Sequence, residues 1–341
     1  MGNAICQCNQ PREQINSYLD LERTSHDITP QVSKIQNSFR SFHAKIAMHE
    51  QAKINKEQFE SKLTQYGTFI SEEEMQSSIS PIIIESDKKL TQSMNLPKNI
   101  YTYTFTLPPF KFKDGTIYSG NWNFNGKKEG FGINLKPDRS IYKGYWENDQ
   151  ISKYGTFIEL NGNYYQGELK NGVAEGEGTL YVKDKLKYTG EFSNDVQNGK
   201  GVEENYEDGT VYEGDFKNGV KEGIGKLKFN DGTVYEGEFK DGEFNGKGTI
   251  KFFDKREYKG DFKEGKMNGN GVFTWENGNI YKGSYSNGQK NGYGTFYWDE
   301  NQYYKGYWVN NKQHGEGTYF LNGKKLKGQF RYGKIIMKKE Q

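Results

Sequence analysis

The sequence predicts an all-β fold, an elongated single-layer antiparallel sheet of stacked β-hairpins, preceded by a helical N-terminal arm. Three observations carry this. A Tyr-x-Gly triplet recurs along the chain, each tyrosine 23 or 24 residues after the last. After each of those glycines comes an aromatic or apolar residue two places on, then a turn signal and, in most units, a Gly-x-Gly run. Finally, 33% of the 341 residues are hydrophobic and the mean hydropathy is −1.00, yet 15% are aromatic. A fixed period of this length marks a repeat array, in which each unit buries its apolar face against its neighbours. A chain this polar lacks the aliphatic content of a large globular core, and a thin aromatic ribbon reconciles the numbers.

The rungs are Tyr118-Ser-Gly120, Tyr142-Lys-Gly144, Tyr165-Gln-Gly167, Tyr188-Thr-Gly190, Tyr212-Glu-Gly214, Tyr235-Glu-Gly237, Tyr258-Lys-Gly260, Tyr281-Lys-Gly283 and Tyr304-Lys-Gly306. A worn tenth rung follows at Leu326-Lys-Gly328. Two places beyond the glycines stand Trp122, Trp146, Leu169, Phe192, Phe216, Phe239 and their counterparts. Tyrosine, glycine and this residue share one parity, as in a strand with one buried face. Turn signals such as Asn218-Gly219 and Asp241-Gly242 lead to a second run, for example Gly246-Lys-Gly248-Thr-Ile-Lys. Each unit therefore reads as a hairpin, and consecutive hairpins pair edge to edge, advancing the sheet roughly 10 Å per repeat. The strand glycines are expected to make room for the aromatic rings of the adjacent hairpin. The second repeat is irregular, with Lys153-Tyr154-Gly155 in place of Gly-x-Gly.

The pattern Tyr-x-Gly-x-Phe-x-x-Gly-x-x-x-Gly-x-Gly resembles the MORN repeat (membrane occupation and recognition nexus). The resemblance spans residues 101–333, as nine repeats and one degenerate copy. It implies an extended binding sheet without catalytic machinery. Kinases and methyltransferases sometimes carry such arrays, but the residues outside this one are too few for either enzyme.

Charge points the same way. The chain has 47 basic and 45 acidic residues, a net charge of +2. The central rungs carry Glu213/Asp215 and Glu236/Glu238, the later ones Lys259, Lys282 and Lys305. A nucleic-acid-binding sheet would show a continuous basic stripe; this mixture reads as a solvated face, and no nucleic-acid partner is expected. Of the four histidines only His314 lies in the repeats, and no Cys/His or Asp/Glu cluster has metal-ligand spacing. Gly-x-Gly is repeat grammar, since it never opens a helix as a dinucleotide fingerprint would. The sequence implies no enzyme and no cofactor.

Residues 1–28 read as a flexible N-terminus. Its start, Met1-Gly-Asn-Ala-Ile-Cys-Gln-Cys, resembles a myristoylation signal at Gly2, with Cys6 where Ser or Thr is usual. One myristoyl chain binds membranes only marginally, so stable attachment needs a second signal. Cys6 and Cys8 supply it as palmitoylation sites; the alternative is an unmodified start. Two cysteines one residue apart suit a reducing compartment, and no apolar run is long enough to span a bilayer.

Residues 29–63 read as one long helix, with Thr29 as cap and Pro30 in the first turn. Ile35, Phe39, Phe42 and Ile46 form one apolar stripe. Within it Ile35, Gln36, Arg40 and Lys45 match the spacing of an IQ motif, to which the segment is similar. That resemblance implies a calmodulin or calmodulin-like partner gripping the amphipathic helix; the alternative is a helix that packs on the sheet end or dimerises. Residues 64–100 read as a linker with a short helix near Ser71-Glu-Glu-Glu, and 334–341 as a tail. The whole describes a non-catalytic scaffold on the cytoplasmic face of a membrane. Two other readings remain open, a ciliary, axonemal or cortical cytoskeletal subunit without a tether, and a regulatory partner of a lipid kinase.

Overall fold

The computed structural model describes residues 56–81 and 104–339. The chain divides into two units, Met1–Lys62 and Leu63–Gln341. In the first, the described residues are helical. The second is one long open antiparallel sheet. It opens with three short strands, β1 (Gly67–Phe69), β2 (Thr104–Thr106) and β3 (Phe110–Phe112), and continues from β4 (Ile117–Asn123) to β23 (Lys334–Lys339) with each strand paired to the next. Those twenty strands are ten hairpins, one per rung, including the worn tenth.

The first rung does not leave a bare edge. β3 pairs with Ile117 and Tyr118 of β4, β2 pairs with Asn121 to Asn123 of the same strand, and β1 lies beyond β3. A short helix, α1 (Glu72–Ser77), follows β1, with the Ser71 hydroxyl accepting from the Glu74 amide at its start. Its buried Met75 packs with Ile117, Leu135, Ile141 and Ile158. An edge that is paired in this way cannot template unwanted strand addition.

Within each hairpin the turn is set by its residues. Asn218 and Gly219 both have positive φ (49° and 79°), as a two-residue hairpin turn with the twist of its strands requires. The irregular second repeat still closes, as β6 (Ile141–Glu147) against β7 (Gln150–Ile158). Lys153 takes a φ of 65° there, the left-handed conformation that Gly130 and Gly176 hold in the flanking repeats.

One correction to the sequence reading concerns the glycines. They make room for a ring of their own hairpin, not of its neighbour. Gly237 and Gly248 face each other across one hairpin, and Tyr235 arches over both. A Cβ on Gly248 would lie 2.6 Å from Tyr235 Cε2, and one on Gly237 2.5 Å from the Gly248 Cα. The arched ring delivers its hydroxyl to the carbonyl three residues on. All nine tyrosines donate this bond, from Tyr118 to Asn121 O through Tyr304 to Tyr307 O, at 2.8–3.1 Å. The accepting residue sits where the register shifts, between Gly214 and Phe216 for example, so its carbonyl is turned out of the ladder.

Contact between hairpins is made by the aromatic residue two places after the glycine. Phe216 meets its own Tyr212 edge-on at 5.1 Å and the preceding Tyr188 at 4.9 Å. The same pair of contacts recurs at Phe239, Phe262, Tyr285 and Trp308, so rings alternate in one buried zigzag. Each such pair is worth about 0.5–1.5 kcal/mol beyond its burial. Leu169 is the aliphatic rung in this chain of rings, buried but without a ring to offer.

Two substitutions separate these roles. Tyr235→Phe removes one hydroxyl bond and should cost about 1 kcal/mol. Gly248→Ala puts a methyl group into the ring and should cost more than about 2 kcal/mol. Urea denaturation of the two variants should rank them in that order; an alanine variant as stable as the phenylalanine one would contradict the arched-ring account.

Candidate docking surface

Two rows flank the buried zigzag on its own face of the sheet. In one, each position pairs with a rung tyrosine: Leu227 with Tyr212, Ile250 with Tyr235, Phe273 with Tyr258, Phe296 with Tyr281 and Tyr319 with Tyr304. Two residues further, at the strand ends, stand Phe252, Trp275 and Trp298. Over the last repeats these rows merge into a second ring zigzag, Phe252–Phe273–Trp275–Phe296–Trp298–Tyr319, with centroid steps of 6.1, 4.5, 5.2, 4.8 and 5.3 Å. Unlike the first, it is mostly half-exposed, only Phe273 being buried. A contiguous strip of half-exposed tryptophan and phenylalanine is the composition of a protein interface core.

The strip contains a cation. Lys290 pairs in register with Tyr285, and its backbone amide donates to Asn311 Oδ1 at 2.8 Å. Its Nζ lies 5.2 Å from the Trp275 ring, 5.0 Å from Phe296, 5.5 Å from Tyr281 and 4.8 Å from Trp308. Burial among these rings draws its pKa down from the usual lysine value to about 8. Two other repeats hold a lysine at the same position. Lys128, opposite Trp122, rests on Tyr118 and Trp146, and burial lowers its pKa against the pull of Asp149 and Asp114. Lys221, opposite Phe216, rests on Tyr212.

The rung tyrosines are structural. Burial raises the pKa of each, to about 12 at Tyr188 and Tyr304. Their hydroxyls therefore stay protonated and keep donating to the bulge carbonyls. The partner glycines, Gly120 and Gly144 through Gly306, lie beneath them with no space for a side chain.

The opposite face departs from a merely solvated mixture. Asp215 accepts from the Ile224 amide at 3.0 Å, Glu238 from Lys247 at 2.8 Å, and Asp261 from Asn270 at 2.8 Å. Each carboxylate thus satisfies an amide freed by the bulge of its own hairpin. Asp215 also pairs with Lys200 at 2.8 Å, Glu236 with Lys226 at 2.6 Å, and Asp261 with Lys247. The hydrogen bond from Lys200 holds the Asp215 carboxyl below its usual range. Lys259, Lys282 and Lys305 stand exposed on the same face. Among the described residues no group of His, Cys, Asp and Glu could hold a metal ion, and no helix is long and apolar enough to cross a membrane.

The MORN repeat matches residues 118–138, 165–184, 188–207, 212–234, 235–255, 258–280, 281–302 and 304–324, about half the chain. The chain belongs to the MORN repeat family. The matches skip the rung at Tyr142, where Lys153 replaces glycine, although its hairpin is intact. MORN repeats form non-enzymatic scaffolds, and membership suggests a protein-binding repeat scaffold. No curated protein matches the chain. Among solved structures, the TCP10 domain of Danio rerio CPAP in complex with a STIL peptide is 13% identical, covering 70% of this MORN chain and 98% of that one, with a TM-score of 0.24. The TCP domain of Drosophila melanogaster SAS-4, in complex with a proline-rich motif of Ana2, is 11% identical over 60% and 90%, with a TM-score of 0.23. An inactive virginiamycin B lyase from Staphylococcus aureus is 10% identical over 68% and 96%, with a TM-score of 0.12. At such scores none of the three carries an argument about this MORN protein.

Gly2, Cys6 and Cys8, and the arm residues Ile35, Gln36, Phe39, Arg40, Phe42, Lys45 and Ile46, lie outside the described residues. The sequence reading missed the aromatic strip and Lys290. The strip had a signal, since Phe252, Trp275 and Trp298 recur at the 23-residue period.

Proposed function

We propose that this MORN protein is a non-catalytic scaffold that docks a protein partner along the strip from Phe252 to Tyr319. The half-exposed ring zigzag supports this reading: it is apolar, contiguous and held on rigid strands, and aromatic anchors of this kind dominate interface energetics. Affinity purification from native lysate tests it, with the wild-type chain beside a Trp275→Ser/Trp298→Ser variant. Partners held by the wild type should be lost from the variant, each tryptophan costing 2 kcal/mol or more by the usual scale of such anchors. Identical partner sets would remove the strip from the function.

The scaffold is further proposed to be tethered to the cytoplasmic face of a membrane by acyl chains at Gly2, Cys6 and Cys8. Paired acyl signals are what stable attachment requires. In cell fractionation and liposome flotation, wild-type protein from a eukaryotic expression host should float, and Gly2→Ala and Cys6→Ser/Cys8→Ser should leave it soluble. Equal solubility of all three would discard the tether and favour a cytoskeletal or ciliary subunit; co-purification with a lipid kinase would favour its regulatory partner.

The third element of the proposal is a calmodulin-like protein on residues 35–46. The supporting pattern is the IQ-like spacing with its apolar stripe. The chain should be retained on immobilised calmodulin, and Ile35→Asp should release it. Retention that is unchanged by the aspartate would withdraw the assignment.

A further inference from the structure

Three repeats place a lysine opposite the rung aromatic, and two of those lysines find a polar partner inside the chain. Lys128 Nζ donates to Asn134 Oδ1 at 3.2 Å, and Asn134 is the residue paired with Tyr118 of the same hairpin. Lys221 Nζ pairs with Glu203 Oε1 at 2.7 Å, and Glu203 is paired with Tyr188 of the preceding hairpin. The corresponding positions around Lys290 are Phe296, paired with Tyr281, and Phe273, paired with Tyr258. Both are hydrocarbon. Among the described residues Lys290 Nζ has no carboxylate and no hydrogen-bond acceptor, only the four rings of its box.

A buried polar group without a partner stands at the same hairpin. Tyr285 is the rung at which the zigzag aromatic is a tyrosine, and it faces Lys290 in register. Its hydroxyl is buried and has no partner among the described residues. A buried hydroxyl is normally paired, because one left alone costs its full desolvation. The half-buried Lys290 ammonium still reaches solvent and is open to a partner's carboxylate. The usual fillers of this position need nothing of the kind: Met267 stands opposite Phe262 and Phe244 opposite Phe239. Rings alone hold a cation less firmly than a paired and hydrogen-bonded carboxylate does.

We infer that Lys290 is the recognition point of the docking strip. The partner segment that covers the strip carries an Asp or Glu side chain set between apolar residues, and this carboxylate pairs with Lys290 Nζ as Glu203 pairs with Lys221. A small free anion could meet the charge but would leave Trp275, Phe296 and Trp298 exposed. The occupant is therefore a peptide segment of mixed acidic and apolar character. This inference rests on the proposed docking along the strip.

A phage-displayed random peptide library, selected on the immobilised full chain, tests it. Selected peptides should carry an acid flanked by apolar side chains. Resynthesised with Gln for that acid, they should bind the wild type about tenfold more weakly or worse. On Lys290→Met the acidic and Gln peptides should bind alike, and on Lys290→Glu the preference should pass to a peptide with Lys at that place. The methionine variant is expected to fold, since the repeat before it holds Met267 there, and its thermal midpoint checks this. Peptides that lose binding with Trp275→Ser/Trp298→Ser but show no acid enrichment, or an equal Gln penalty on wild type and Lys290→Met, would overturn the Lys290 assignment and leave the docking strip standing. Binding indifferent to all of these substitutions, or no enrichment, would overturn both.

Discussion

A tyrosine laid across a pair of facing glycines is the contact on which this sheet depends. The ring needs a floor without side chains, and the two glycines of one hairpin provide it. Once flat on that floor, the ring places its hydroxyl where a bulge has turned out a carbonyl, and it presents its edges to two aromatic neighbours. One side chain thus closes its own hairpin, satisfies a backbone acceptor and docks the next hairpin. A single-layer sheet has no second layer to cover its apolar side, and this arrangement lets it do without one. Stability then accrues repeat by repeat, each unit contributing its own closure and one interface.

How far this was legible in the sequence depended on periodicity. The tyrosines, the glycines and the zigzag aromatics recur at one spacing and share one parity, so hairpins, their order and the ring core could be read directly. The direction of the rings could not. Which glycines lie beneath Tyr235 depends on the pairing of Gly237 with Gly248, eleven residues on, and register of that kind emerges only when the bulge is seen. For the same reason Asp215 and Glu238 read as surface charge, although their carboxylates hold amides that the bulge sets free. Lys153 was visible as an irregularity, but its capacity to stand in for glycine at positive φ belongs to the folded hairpin.

The bulge also explains why acidic residues crowd the central rungs without making an acidic surface. In four central hairpins the middle amide of Gly-x-Gly is met by the carboxylate one place after the Tyr-x-Gly glycine, at Glu191, Asp215, Glu238 and Asp261. Where the middle of Gly-x-Gly is lysine, as at Lys200 and Lys247, its ammonium reaches the equivalent carboxylate of the next hairpin, Asp215 or Asp261. Exposed pairs of this kind contribute about 0.2–1 kcal/mol each, so the backbone bond is the larger effect. Charge on this face is mainly a consequence of hairpin geometry.

The ring face obeys a different logic, because its demands leave one position free. Opposite the zigzag aromatic the array accepts Ile151, Ala174, Phe244 or Met267 without disturbing the rings, so nothing in the fold asks for a cation there. Lysine appears at that place three times. Twice the chain provides a polar neighbour, Asn134 or Glu203, at a position that other repeats fill with hydrocarbon. A lysine and its acceptor introduced together form a closed unit within the strip. At Lys290 the acceptor positions have stayed aromatic, and the zigzag Phe has become Tyr285 with an unpartnered hydroxyl. Folding alone gains nothing from this combination, since burial disfavours the ammonium and the phenol brings a donor with no acceptor. Selection for folding would favour methionine and phenylalanine at these two sites, as the adjacent repeat has in Met267 and Phe262. That they differ where the half-exposed strip is widest in aromatic residues ties the departure to what the strip binds.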